Sequence, residues 1–221
     1  MESRLSQLTG EGGSSTIGGV RAVPDPFRPG ALDVAALVDR ARHRDPAAFR
    51  ELFRANLGFV HRVVTRIYGP SPEVEDLVQT AFVEAFRSLP DFRGDALFST
   101  WLARITVRVA LRAAKSRPRR ALPLESAEGH AIDVPSPERL AAARQGLDVL
   151  TRLLDQLRPK RRAAFVLNVL EGYSSEEAAA LLGVSTTALK VRVHDARRQI
   201  EKALKHHPEL MAALSPHAEG S

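Results

Sequence analysis

Between residues 74 and 89 the apolar side chains Val74, Leu77, Val78, Ala81, Phe82, Ala85, Phe86 and Leu89 recur every three or four positions. That period matches the α-helical turn and places them all on one face. Ser71-Pro72 in front of the run and Pro90 behind it mark its start and stop, because proline suits a first helical turn and cannot continue a helix. A helix this one-sided must bury its stripe against other elements. The preceding segment supplies one: Asp45-Pro46 offers an N-cap followed by proline at the first helical position. From there Phe49, Leu52, Phe53, Val60, Val63, Val64 and Ile67 carry a second stripe as far as Gly69-Pro70. Regular structure is expected to begin in ALDVAALVDRAR, just ahead of it. Aromatics make up only 5% of the chain and β-branched runs are short, so sheets are disfavoured and the expected fold class is all-α.

A short loop, DFRGDALFS, leads to the stretch WLARITVRVALRAAKSRPRR, which starts with the only tryptophan and contains no acidic residue. Leu102, Ile105, Val109 and Ala113 fall along one side of a helix, while Arg104, Arg108, Arg112 and Lys115 fall along another. One side packs; the other faces something anionic. A charge run is usually a solvated face, and a lone tryptophan usually belongs to a core. Here the two are adjacent, and an aromatic platform beside phosphate-binding cations is the combination that holds single-stranded nucleic acid.

From residue 117 to 137 the chain is polar and proline-rich without an apolar period, which marks a flexible linker. Residues 1–30, rich in Gly, Ser and Pro, are expected to form a flexible arm, and residues 207–221 a flexible tail. Two small helical domains remain, at 31–116 and 138–206. In the second, Leu147, Leu150, Leu154 and Leu157 give one stripe, Pro159 opens another helix and Gly172 closes it. Ser174 and Glu177 have capping-box spacing, and Gly183 sits at a tight turn. A helix from about Ser185 then turns Leu189, Val193, Ala196, Ile200 and Leu204 inward and leaves Thr186, Thr187, Lys190, His194, Arg197 and Arg198 outside. Helix, glycine turn and basic helix in that order read as a helix-turn-helix whose second helix enters a major groove.

Composition narrows the function classes. The formal charge of +6 favours a nucleic-acid partner over a cationic one. With no cysteine there is no disulfide, thiolate metal site or thiol chemistry. GEGG near the N-terminus is no phosphate loop, since no strand precedes it and no GK[ST] follows. The acidic residues Glu73, Glu75 and Asp76 complement a helix dipole more naturally than they bind metal. Seven histidines lack ligand spacing, and no nucleophile pairs with a base, so neither a cofactor, a metal nor an enzyme is expected. No stretch approaches the roughly 20 apolar residues of a membrane span, and the N-terminus lacks the apolar core of a signal peptide. A cytoplasmic protein without membrane insertion is expected. Asp76, Gln79, Val83 and Arg87 share the outer face of the first helix described, with Glu84 beside them, and that polar face suits a protein partner.

Three segments, EDLVQTAFVEAF (75–86), TWLARI (100–105) and LEGYSSEEAAALLGVSTTALKVRVHDAR (170–197), occur in this order. With them the chain resembles, from Asp45 to Leu204, the bacterial extracytoplasmic-function (ECF) sigma factors of RNA polymerase. The resemblance implies that the first domain is sigma region 2, which grips the polymerase clamp through Asp76, Gln79, Val83 and Arg87. The same domain would read and melt the minus-ten element through Trp101, Arg104, Arg108, Arg112 and Lys115. Residues 92–100 would hold an extruded base. The second domain would be sigma region 4, reading the minus-thirty-five element through Thr186, Thr187, Lys190, His194, Arg197 and Arg198 and touching the polymerase flap. Core RNA polymerase, promoter DNA and an anti-sigma factor are the implied partners.

The chain departs from that pattern at Arg108 and Arg112, where the family often carries Asn and Asp, and at Thr187, Val191 and Asp195 in the recognition helix. An unusual minus-ten preference follows from the first pair, and weakened phosphate contact from an acid at Asp195. No extra C-terminal domain is expected beyond the tail. A helix-turn-helix regulator that is not a sigma subunit, and a helical interaction protein with no DNA role, are the other classes the residues allow.

Overall fold

The structure is a computed structural model that describes residues 34–116 and 137–206. The arm at 1–30, the tail at 207–221 and all of the linker but Pro137 lie outside these residues. Every regular element described is helical. The first four α-helices are α1 (Val34–Arg42), α2 (Pro46–Tyr68), α3 (Val74–Ser88) and α4 (Phe98–Ser116). α2 starts where its cap dictates: Asp45 Oδ1 accepts the Ala47 and Ala48 amides at 2.8 and 3.4 Å. The same carboxylate takes Arg40 Nε at 2.8 Å. The bond from Arg40, helped by those amides, holds the Asp45 carboxyl below its usual range. Gly69 ends the helix at φ 104°, a conformation a side chain would resist, while its N–H donates to the Thr65 carbonyl.

α3 begins at Val74 rather than at Ser71-Pro72, because those residues are spent on a turn. The Val74 amide reaches the Ser71 carbonyl at 3.0 Å, and the Tyr68 and Ser71 hydroxyls both donate to Glu73 Oε2. At its other end Pro90 does not stop the chain outright; Leu89–Asp91 tighten into a 3₁₀ turn. The stripes meet as their spacing requires. Val60, Val63 and Val64 of α2, Val78 and Ala81 of α3, and Leu102, Val107 and Ala110 of α4 are sealed from solvent. Each large side chain so buried contributes about 1.5–3 kcal/mol of transfer free energy.

The second set is α5 (Pro137–Asp155), α6 (Pro159–Phe165) running into a π-helical turn (Val166–Leu170), α7 (Ser175–Leu182) and α8 (Thr186–His206). The stripe expected in α5 is corrected here: Val149, Leu153, Leu154 and Leu157 are buried, whereas Leu147 is 58% exposed. The face that counts is the one against α8; Leu154 and Leu157 of the expected stripe lie on it and Leu150 packs at its edge, while Leu147 does not. The two helical sets also touch. α2 and α4 pack against α6, the π turn and α7. At that junction Glu171, with its side chain only 6% exposed, accepts from Arg66 Nη1 at 2.7 Å and Arg62 Nη2 at 3.2 Å. Arg162, itself buried, donates from Nε to the Arg66 carbonyl and from Nη1 to Asp155.

Candidate nucleic-acid and partner interfaces

The buried stripe of α3 leaves its opposite side to solvent. Asp76, Gln79, Val83 and Arg87 are all exposed there, Val83 by 44% although it is apolar. With Thr80 and Glu84 they line an open groove of about 440 Å³. The four residues singled out from the sequence are therefore contiguous.

α4 divides as its spacing predicts. Leu102, Ile105 and Val109 are buried, while Arg104, Arg108, Arg112 and Lys115 are exposed along one side. What the local pattern does not reveal is an acid among them. Glu84, reaching over from α3, accepts Arg108 Nη2 at 3.0 Å and also binds Arg112 Nη2. Partial burial pushes its carboxyl up, but the hydrogen bonds and charge of Arg112 and Arg108 outweigh that and hold it below its usual range. Arg104 and Lys115 form no ion pair with any described residue.

Trp101 is half-buried, which reconciles its two readings: one side is core and the rest is accessible. Its ring sits 5.2 Å from Phe92 and 5.5 Å from Phe98, centroid to centroid. These rings anchor both ends of the loop between them. Within it residues 93–97 are exposed, Leu97 most of all among the described large apolar side chains, and Gly94 takes φ 80°. The rings meet tilted or edge to face, so the loop is fastened by aromatic contacts at both ends and open in its middle.

The helix-turn-helix forms from the expected signals. Ser174 Oγ accepts the Glu177 amide at 3.2 Å and Glu177 Oε2 accepts the Ser174 amide at 2.8 Å, a complete capping box. Gly183 adopts the left-handed conformation at φ 63°, and Ser185 Oγ then accepts the Ala188 amide at 3.2 Å to start α8. Leu189, Val193, Ala196, Ile200 and Leu204 are buried. Thr187, Lys190, His194 and Arg198 are exposed, whereas Thr186 and Arg197 are half-buried and Arg197 is engaged within the protein. Val191 stands 56% exposed between Thr187 and His194. Its place on the outer face was available from the i, i+4 relation to Thr187. Asp195 does not project as a free acid: it binds Arg161 Nη2 of α6 at 2.8 Å, which lowers its repulsion of a phosphate. Neither Glu84–Arg112 nor Asp195–Arg161 is local in sequence, so no motif announces them.

Among the described residues no helix is long and apolar enough to cross a membrane. A helical unit with a cationic helix beside an aromatic-anchored loop is followed by a helix-turn-helix unit, so the chain carries a cationic face on each of its two helical sets. Residues 52–120 match the family model of Sigma-70 region 2, and residues 147–200 that of Sigma-70, region 4. The ECF RNA polymerase sigma-E factor of Escherichia coli (strain K12) is 32% identical over 180 residues, covering 76% of this chain and 93% of the relative. CnrH, solved in complex with the cytosolic domain of CnrY, superposes with a TM-score of 0.57 at 28% identity, covering 77% of this chain and 96% of that one. RpoE from Bartonella quintana, solved with the anti-sigma factor NepR, gives 0.53 at 20% identity, covering 71% and 96%. The chain belongs to the ECF family of RNA polymerase sigma factors. It is accordingly a DNA-binding regulatory subunit that serves transcription initiation.

Proposed function

We propose that this sigma factor engages core polymerase and two promoter elements through three faces. The α3 groove of Asp76, Gln79, Val83 and Arg87 docks on the polymerase clamp. The α4 face of Arg104, Arg108, Arg112 and Lys115, with Trp101 and the loop before it, holds the non-template strand of the minus-ten element. The outer face of α8, with Thr186, Thr187, Lys190, His194, Arg197 and Arg198, meets the minus-thirty-five element. We further assign the domains as region 2 at 31–116 and region 4 at 138–206, and the site of action as the cytoplasm. The protein supplies no catalytic group of its own. An anti-sigma partner fits the complex in which the Bartonella relative was solved.

The observation that carries the reading is the half-buried Trp101 at the head of a four-cation face. Duplex phosphates gain nothing from an aromatic ring, whereas an unpaired base stacked on one gains about 1–3 kcal/mol. The test compares a duplex promoter with one carrying a pre-melted minus-ten bubble, using polymerase reconstituted with the full chain. Replacing Arg108 and Arg112 by Gln should impair initiation on both templates, because an open strand still has to be held. Any part of the defect that comes from melting should recover on the bubble. Unchanged open-complex formation on duplex DNA in both Trp101→Ala and the double arginine variant would leave α4 an ordinary solvated face.

A further inference from the structure

The charge on the strand-facing helix does not stand alone. Glu84 lies on a different helix, 24 residues before Arg108 and 28 before Arg112, yet its two carboxylate oxygens each take one of these guanidinium groups. The carboxylate is 26% exposed and the two arginine side chains 60% and 62%, so the triad is open to solvent on the arginine side. Each arginine commits one of its five N–H donors to the carboxylate and keeps others for a further acceptor. A DNA phosphate approaching from solvent would be that acceptor, and it would compete with a carboxylate for the same two groups.

We propose that Glu84 acts as an internal competitor of the DNA backbone, setting how strongly α4 grips single-stranded DNA irrespective of its sequence. The inference rests on the strand-binding reading of α4. Its electrostatic content is simple: with Glu84 ionised, the local sum over the triad is one positive charge instead of two. Glu84 offsets half of the charge that the two arginines bring to this face. Non-specific affinity is dominated by phosphate neutralisation, so a carboxylate here lowers the sequence-independent part of binding and leaves base stacking at Trp101 untouched. Glu84 is thus a positioning residue, acting on the strand only through Arg108 and Arg112.

The test measures binding of a fluorescent twenty-nucleotide oligo(dT) by the full-length chain over a range of salt concentrations. Four proteins are compared: the parent, Glu84→Gln, the double variant Arg108→Gln with Arg112→Gln, and the triple variant. Circular dichroism checks that each is folded. Glu84→Gln should raise affinity for oligo(dT) about 3- to 10-fold at low salt and steepen the log–log salt slope by about 0.7, the value for one more neutralised phosphate on a single strand. In the double-arginine background the same substitution should lose most of that gain, because the groups it liberates are gone. An equal gain in both backgrounds would reduce Glu84 to a generic surface charge and overturn the proposal. Weaker binding in Glu84→Gln would overturn it as well, since the carboxylate would then be bracing the arginines for DNA. If the double arginine variant binds oligo(dT) as tightly as the parent, the strand-binding reading of α4 itself has failed, and that outcome is separate from the other two. A core-polymerase binding measurement on Glu84→Gln accompanies these, because Glu84 also lines the α3 groove.

Discussion

Asp45 shows how one side chain fixes an element's start and ties its stability to pH. Its carboxylate is held below the usual range by Arg40 and by the first amides of α2. A depressed folded value means the carboxylate's contribution is complete above the ordinary 3.8 and is lost as the pH falls through the folded value. The difference in thermal stability between the parent and Asp45→Ala should therefore be constant from pH 5 to pH 7 and shrink below about pH 4. A gap that persists undiminished at pH 2 would mean the cap acts without its charge. Glu84 obeys the same sign. Ser174 offers a pH-insensitive counterpart, and Ser174→Ala should cost about 1 kcal/mol in a denaturant titration by releasing one partner of the capping box. A cost near zero would show that Glu177 alone caps α7.

At the scale of elements, the recognition helix has a face narrower than its sequence suggests. Thr187, Lys190, Val191, His194 and Arg198 are exposed together, while Arg197 is half-buried and held within the protein. Lys190→Ala should change which upstream elements are used, because it lies in the first turns, where base edges are read. Arg198→Ala should weaken all elements alike and lower the salt slope by about 1. Promoter selection left intact after replacing residues 186–190 together would rule α8 out as the reader. Helices α2, α3, α4, α7 and α8 were legible in the sequence from a stripe at helical spacing, as in α4, from a cap and turn, as in the Ser174–Glu177 box and Gly183 of α7, or from both, as in α2 with Asp45-Pro46. The failures have a common cause. The inward face of α5 depends on where α8 lies, which left Leu147 exposed. The partners of Arg108, Arg112 and Asp195 come from other helices, so they depend on packing rather than on any pattern along the chain. Similarly, the exposed face of α4 was readable, whereas its net charge was not.

The whole molecule adds a feature that neither helical set carries alone. The two sets meet through α2 and α4 on one side and α6, the π turn and α7 on the other, with Glu171 nearly buried between Arg62 and Arg66. Glu171 is the nearly buried member, while Arg62 and Arg66 keep 44% and 24% of their side chains in solvent, so Glu171→Ala removes the acceptor that both arginines share across the junction and should destabilise it more than an exposed acid-to-alanine change does. Hydrogen exchange should rise in the π turn and in the second half of α2. Exchange unchanged in both would mean that the ion pairs do not hold the sets together. On its outward side the molecule offers the α3 groove, and Asp76→Ala with Gln79→Ala should weaken binding to core polymerase while helical content stays the same. Equal core affinity would remove that face from the docking account.

The faces proposed here would serve one event, the start of transcription by core polymerase at a promoter. The most direct measurement is run-off transcription by purified core polymerase on duplex fragments chosen by genomic selection with the reconstituted complex, with and without the full chain. Transcripts are expected from discrete start sites only when the chain is present, and their loss is expected in the double arginine variant. Transcription that never depends on the chain, or a chain that binds the fragments and still cannot start a transcript with core enzyme alone, would contradict the proposed function.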